Sequence, residues 1–291
     1  TTINKSSDYF NTKLYTGNDS AGHAITGVGF KPDWTWIKSR SNATDHILTD
    51  IVRGVTVGIK SNTTAGNATD SNQLKSFDSD GFTLGSENDV NGSSRTYASW
   101  NWLAGGSQGS SNTDGSINTT YTSVNTTSGF SIVSWTGNGS NGATIGHGLG
   151  ATPAFVITKR LNSTGDWQIG GSAVDAARGG ANSLLLLNTT AAMDSNSEVY
   201  QTFSSTTFQV GVNASINTNG GTLISYCFAE KQGYSKFGSY TGNNNVNGPF
   251  VYLGFKPAWL MVFAYQAGNE NWMLVDNKRD GFNVENEQLF P

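Results

Sequence analysis

Apolar and polar residues alternate in short runs along most of the chain. In DWTWIK (Asp33 to Lys38) the pattern puts Trp34 and Trp36 on one face of an extended strand. RTYASWNWLA does the same for Trp100 and Trp102, and GFTLG and GFSIVSW read as further short strands. Turn signals separate the runs: Asn-Gly at Asn91, Asn141, Asn219 and Asn247, and Asp-Gly at Asp80. Only AVDAARGGA offers one or two helical turns, and its glycines weaken it. Seven or eight short strands in each hundred residues, joined by Gly-rich turns, predict an all-β fold. The expected architecture is tandem antiparallel β-sandwich (jelly-roll-like) units strung into an elongated protein. A sheet closing into a trimeric β-prism is the alternative.

The strand pattern also repeats. YTGN at Tyr15 returns at Tyr240, and GFKP at Gly29 returns at Gly254, both displaced by 225 positions. A third copy lies between, opening at Trp135-Thr-Gly-Asn138, with Pro153 and Phe155 answering Pro32 and Trp34. A displacement of 126 puts Asn62-Thr-Thr on Asn188-Thr-Thr and, without a gap, Phe77 on Phe203, Phe82 on Phe208, Trp100 on Tyr226 and Trp102 on Phe228. The organisation expected is one unit over residues 1–105 and a second over 128–232. A third, incomplete unit covers 233–291. Residues 106–127 are rich in Gly, Ser, Thr and Asn and read as a flexible linker, in which Ile117, Tyr121 and Val124 could form a strand. The third unit stops at ENEQLFP, about halfway. Half a unit cannot close its own core, so the expectation is a piece of a longer polypeptide, or completion by another chain.

Composition narrows the classes of function. Charged residues make up 13 % of the 291, well under the usual quarter, while 15 Phe, 10 Tyr and 8 Trp are spread throughout. Such aromatic content argues for a folded chain rather than a disordered one. The net charge of −4 and the lack of any Lys/Arg run exclude a phosphate-backbone footprint, hence no nucleic-acid partner. The single cysteine, Cys227, excludes an internal disulfide framework and reads as a small buried apolar side chain. The opening TTINKSS has no ordinary secretion signal, and the longest apolar run, Leu184 to Leu187, is far too short for membrane insertion.

Candidate chemistry is sparse. Comparison between units turns Trp34 into Phe155 and Trp259, Trp36 into Ile157 and Met261, Trp100 into Tyr226 and Trp102 into Phe228. Bulk persists while identity drifts, which marks core positions rather than a sugar-stacking platform. The pairs Asp50/Arg53, Asp175/Arg178 and Asp276/Arg279 recur with no nucleophile or second carboxylate beside them. They read as structural ion pairs holding a loop. DSDG at Asp78 lacks the rest of a calcium loop and reads as a hairpin turn. His23, His46 and His147 have no metal spacing; His46 falls where the other units place Trp167 and Trp272, a half-exposed loop base. No cofactor, metal or catalytic residue is expected, and the chain is not expected to be an enzyme. Loops that differ between units are the candidate receptor-facing surface, through Asn42, Asp45, His46, Asp166, Trp167, Asn269 and Trp272.

The ordered string YTGN…GFKPDWTWIKSRS, DIVRG, SNTT, SFDSDGFTLGS and YASWNWLAGG, followed by SNTDGSI…GFSIVSWTGNGS…GHGLGATP, resembles repeat-containing tail-fibre-like virion proteins of marine bacteriophages. The likeness covers nearly the whole chain, with SWNWLAGG standing where such proteins often carry a lysine. It implies a virion structural component, made in the host cytoplasm, at a tail fibre or tail appendage that meets the host. It implies other virion proteins as partners, a homo-oligomer with a trimer favoured, and a host surface glycan or protein as receptor. A capsid decoration or head-fibre protein, or a carbohydrate-binding adhesin module, are the alternatives.

Overall fold

The central strands of this protein are covered on both faces and buried along nearly their whole length, their aromatic and aliphatic side chains interleaved with small or hydrogen-bonded polar ones. A computed structural model describes residues 3–280 and 287–291. Over the first hundred residues it contains β1 (Phe10–Thr16), β2 (His23–Thr26), β3 (Trp34–Ser39), β4 (Ile47–Asp50), β5 (Val57–Lys60), β6 (Ala68–Thr69), β7 (Leu74–Asp78), β8 (Gly81–Leu84), a one-turn helix α1 (Asn88–Asn91) and β9 (Thr96–Trp102). Next come β10 (Tyr121–Asn125), β11 (Phe130–Thr136), β12 (Ala143–Gly146), β13 (Phe155–Arg160), β14 (Gln168–Gly170), α2 (Ser172–Arg178), β15 (Ser183–Leu186), β16 (Asp194–Ser195), β17 (Tyr200–Phe203), β18 (Thr207–Val210), α3 (Ala214–Asn217) and β19 (Thr222–Phe228). The last part holds β20 (Trp259–Val262) and β21 (Met273–Asp276). The fold is all-β, and every pair of neighbouring strands is antiparallel.

Two large sheets dominate. One runs β1-β9-β3-β4-β5-β6; the other runs β10-β11-β19-β13-β14-β15-β16. Without its edge strand β10, the second sheet follows the first strand for strand. Small sheets β2-β8-β7 and β12-β18-β17 accompany them. Alternation along each strand feeds two different cores. In β3, Ile37 points to a core shared with the small sheet through Phe82, Leu84 and Ile25, while Trp34 and Trp36 point the other way. In β11, Val133 and Trp135 face the small sheet, and Phe130 and Ile132 face away from it.

The faces turned away from the small sheets meet one another. Trp34, Trp36, Trp100 and Trp102 join Phe130, Ile132, Ile157, Tyr226, Trp272 and Leu274 in one apolar core. Trp34 stacks on Tyr226 with ring centres 4.3 Å apart, and Trp259 meets Trp102 edge-on at 5.5 Å. Each buried indole removes roughly 200 Å² from water, about 5 kcal/mol by area. The expectation of separate sandwiches strung along the chain is therefore corrected. Residues from 34 to 274 contribute to one core, because the aromatic faces that each sheet leaves bare cover each other.

Residues 106–127 are not the free tether their composition suggests. Tyr121–Asn125 pairs with β11, and Ile117 bridges in parallel to Ile145. The Gly105 N–H donates to Ser123 Oγ at 3.0 Å. Cys227 is buried on β19, and burial pushes its thiol up to about 12. The helical turn expected at AVDAARGGA is α2, closed by Gly179 in the left-handed region at φ 83°.

Candidate functional site

The most charged buried spots are two clamps. Asp50 ends β4, and the chain turns sharply after it, so the N–H groups of Val52 and Arg53 donate to Asp50 Oδ1 at 3.0 and 2.9 Å. Arg53 folds back and donates through Nε to Asp50 Oδ2 at 2.6 Å, with both side chains almost wholly buried. Arg53 also caps the carbonyls of Val57 and Leu48. From the second large sheet, the Tyr226 hydroxyl donates to Asp50 Oδ2 at 2.7 Å. Burial works against the Arg53 charge, but Asp50 and Tyr226 outweigh it and raise its pKa. Burial also lifts the Tyr226 hydroxyl well above its ordinary value. The second clamp repeats the geometry: Arg279 Nε donates to Asp276 Oδ2 at 2.6 Å, and Trp100 Nε1 donates to the same oxygen at 3.0 Å. The Arg279 guanidinium lies over the Trp100 ring, 5.8 Å from its centre.

Asp175 and Arg178 do not form the third ion pair. Here the chain enters α2 instead of turning tightly, which leaves Arg178 exposed at the helix end. Asp175 Oδ1 accepts the Ser183 N–H at 2.9 Å, and burial raises its pKa.

The residues expected to face a receptor fall into two groups. His46, Trp167 and Trp272 are 1 %, 0 % and 4 % exposed, so they are not receptor-facing. Each ring reaches inward and across to another segment. Trp167 Nε1 donates to the Lys60 carbonyl at 2.9 Å, and Trp272 Nε1 donates to the Leu186 carbonyl, also at 2.9 Å. His46 Nδ1 accepts from Trp36 Nε1 at 2.8 Å. Burial and the Lys38 amine hold its pKa down at about 3, with the Phe290 backbone pulling the other way. Asn42 and Asn269 are exposed, while Asp45 and Asp166 are half-buried and occupied. Asp45 takes Lys60 at 2.6 Å and Asn62 at 2.7 Å; Asp166 accepts from Asn188 at 2.8 Å. Asn42 and Asp45 line one cleft together, which Asp166 and Asn269 do not join.

Two buried lysines were missed by motif reading. Lys38 and Lys159 sit at matching places on β3 and β13, and the displacement that pairs Trp34 with Phe155 also pairs them. Lys159 Nζ donates to the carbonyls of Gly165 at 2.6 Å and Thr64 at 2.9 Å, and burial lowers its pKa to about 8. Among the described residues Lys38 Nζ bonds within its own loop, to the carbonyls of Ser39 and Asn42. Beside it lies an open cleft of about 580 Å³, lined chiefly by residues 38–45, Asn62, Leu289 and Phe290. The cleft offers hydrogen-bonding groups: Arg40 Nε and Thr44 Oγ1 are buried without a partner. Its serine at 41 is engaged by Asn42 and the Thr96 N–H, not by a base.

The repeated motifs act on the backbone. Gly17 of YTGN passes so close to the loop after α1 that an added Cβ would lie 2.3 Å from the Gly92 carbonyl, and Gly137 stands likewise against Thr218. The Asn18 and Asn138 N–H groups donate to Asn91 Oδ1 and Asn217 Oδ1, each at 3.0 Å. DSDG forms the β7–β8 hairpin, where Asp80 accepts the Gly27 and Gly29 N–H groups and its pKa is lowered by them. His147 Nδ1 accepts the Leu149 N–H, and His23 meets Asn91. Among the described residues no cluster of His, Cys, Asp or Glu forms a metal site.

Neither a curated protein nor a solved structure matches the chain. Residues 5–291 match the family described as "Domain of unknown function (DUF7483)", and the chain belongs to that family.

Proposed function

We propose that the chain is a structural protein of a bacteriophage virion, most specifically a tail fibre or tail appendage that takes part in host attachment. The reading joins the motif resemblance to one observation, the cyclic set of bonds between segments. Units one, two and three are taken as copies of one sandwich unit. Tyr226 of unit two then reaches Asp50 of unit one, and Trp100 of unit one reaches Asp276 of unit three. Trp167 of unit two caps unit one at Lys60, and Trp272 of unit three caps unit two at Leu186. The Gly165 N–H takes the Thr64 carbonyl, and the Asn269 N–H takes the Thr190 carbonyl, again one unit round. Such a ring gives one chain a threefold cross-section of the kind a fibre otherwise builds from three chains. The trimer expected from sequence becomes three units of one chain in this reading. A body stitched by buried clamps and hydroxyl-rich outside suits an exposed particle component.

The test is immunogold electron microscopy of intact virions with antibody raised against this chain. Gold at the tail is the expected result. Gold over the capsid would move the protein to a head decoration, and virions without gold would refute the virion assignment.

A further inference from the structure

The ring of contacts closes at one level, where the His46 ring meets the Phe290 backbone as Trp167 meets Lys60 and Trp272 meets Leu186; elsewhere, among the described residues, it is open where the later half of the third unit would contribute. β3 is flanked by β4 and β9, and β13 by β14 and β19. Among the described residues β20 carries β21 on one edge and no strand on the other. The backbone bonds that would be made there have counterparts: the Asp33 N–H takes Trp102 O at 2.9 Å, and the Ala154 N–H takes Phe228 O at 2.8 Å.

Upstream of β20 several large apolar residues are exposed, while Leu253 and Phe255 are half-buried. Tyr15 stacks on Tyr97 at 5.0 Å and Ile25, only 4 % exposed, pairs with Phe82. Their sequence counterparts Tyr240 and Phe250 are 51 % and 89 % exposed, and Tyr252 is 79 % exposed. Large apolar side chains exposed together at contiguous positions mark an interaction surface. Asn243, the third YTGN asparagine, has no counterpart of Asn91 to hold and bonds Asn247 of its own loop. Among the described residues Asp175 receives no aromatic donor, where Asp50 receives Tyr226 and Asp276 receives Trp100. The cleft beside Lys38 completes the set. Its counterpart at Lys159 is filled by the Thr64 segment that follows β5, and the one at Asn269 by the Thr190 segment that follows β15. Leu289 pairs with Leu274 as Ile59 pairs with Leu48, so chain running on from Phe290 is aimed at the Lys38 cleft.

We propose that the free edge of β20, the Asp175 carboxylate and the cleft beside Lys38 form one seat, occupied by the later half of the third unit, supplied by the same polypeptide beyond Pro291. The occupant enters through the cleft and returns as an antiparallel strand of the β9 kind along β20, placing an aromatic hydrogen-bond donor on Asp175. In both closed units that strand comes from the same unit, 64 residues after Trp36 and 69 after Ile157. This inference rests on the three-unit reading and is independent of the virion role.

The test compares hydrogen exchange, read by mass spectrometry, in the 291-residue chain and in the intact polypeptide isolated from its natural source. The expected result is at least tenfold slower exchange over residues 240–262 in the intact polypeptide. Equal rates, or an intact polypeptide ending at Pro291, would overturn the proposal. Protection that appears in the 291-residue chain and grows with its concentration would assign the seat to a second copy, which also overturns it. Slow exchange of β4, β14 and β21 in both samples keeps the three-unit body standing if the seat proves bare. Fast exchange of β21 in both would count against the body itself.

Discussion

Replacing Tyr226 with Phe removes one oxygen from the centre of the molecule and leaves the ring. The ring packing on Trp34, at 4.3 Å and 15°, is kept, so the loss is confined to hydrogen bonding. The hydroxyl donates to Asp50 Oδ2 at 2.7 Å and accepts from Arg53 Nη2 at 3.3 Å. The first is short and charge-assisted; the second is long. A buried hydrogen bond to a charged group contributes roughly 1.5–3 kcal/mol, and the ion pair left behind is cut off from water that could replace it. Tyr226→Phe is therefore expected to cost about 2–3 kcal/mol. Equilibrium urea unfolding measures it as a lower midpoint at unchanged slope. Tyr200→Phe is the comparison: its hydroxyl bonds the neutral Thr158 Oγ1 at 2.7 Å, so about 1 kcal/mol is expected. A Tyr226→Phe loss below about 0.5 kcal/mol would refute the claim that this clamp ties the sheets together.

His46 is neutral in the fold down to about pH 3, while the unfolded chain takes a proton below its ordinary value; stability tied to it is lost as pH falls. Between pH 7 and pH 5 wild type should lose about 2 kcal/mol more than His46→Gln, by paired urea titrations; an equal loss would refute it. Burial raises the pKa of Asp33, Glu87, Asp89 and Asp175, which pulls in the opposite direction, so the difference between proteins is the quantity to read. Lys159, lowered to about 8, binds its proton more weakly than in the unfolded chain. Raising pH from 7 to 9.5 should stabilise wild type by about 2 kcal/mol relative to Lys159→Met. Gly81 has φ 151°, and an added Cβ would lie 1.9 Å from the Ile25 carbonyl. Gly81→Ala should cost about 2 kcal/mol or more, measured as a lowered thermal midpoint.

The core was legible in the sequence where copies could be compared. Trp34, Trp36, Trp100 and Trp102 keep bulk while their counterparts change identity, and all four lie in the shared core. The hairpin at Asp78 and the turn at Ser172–Arg178 follow from local chemistry alone. Short strands and the turns between them are local enough to read; the pairing of Phe10 with Trp102, and what covers the outer face of a sheet, are not. Alternation shows that Trp34 and Ile37 point apart, but it does not reveal that Tyr226, from another sheet, covers Trp34. For the same reason His46, Trp167 and Trp272 read as loop positions although their rings cross to other segments. Asp175 and Arg178 share the spacing of the other pairs, yet spacing does not carry the change from a tight turn to a helix. Lys38 and Lys159 were hidden because a lysine on a strand is ordinarily solvated.

The central claim is that the units share one core instead of folding as separate sandwiches. Native-state hydrogen exchange of the 291-residue chain tests it directly, by following β4, β19 and β21 in wild type and in Tyr226→Phe. One shared core requires these strands, which lie far apart in the chain, to open together and to be accelerated together by the substitution. Three separate exchange classes, with only β19 accelerated, would contradict it.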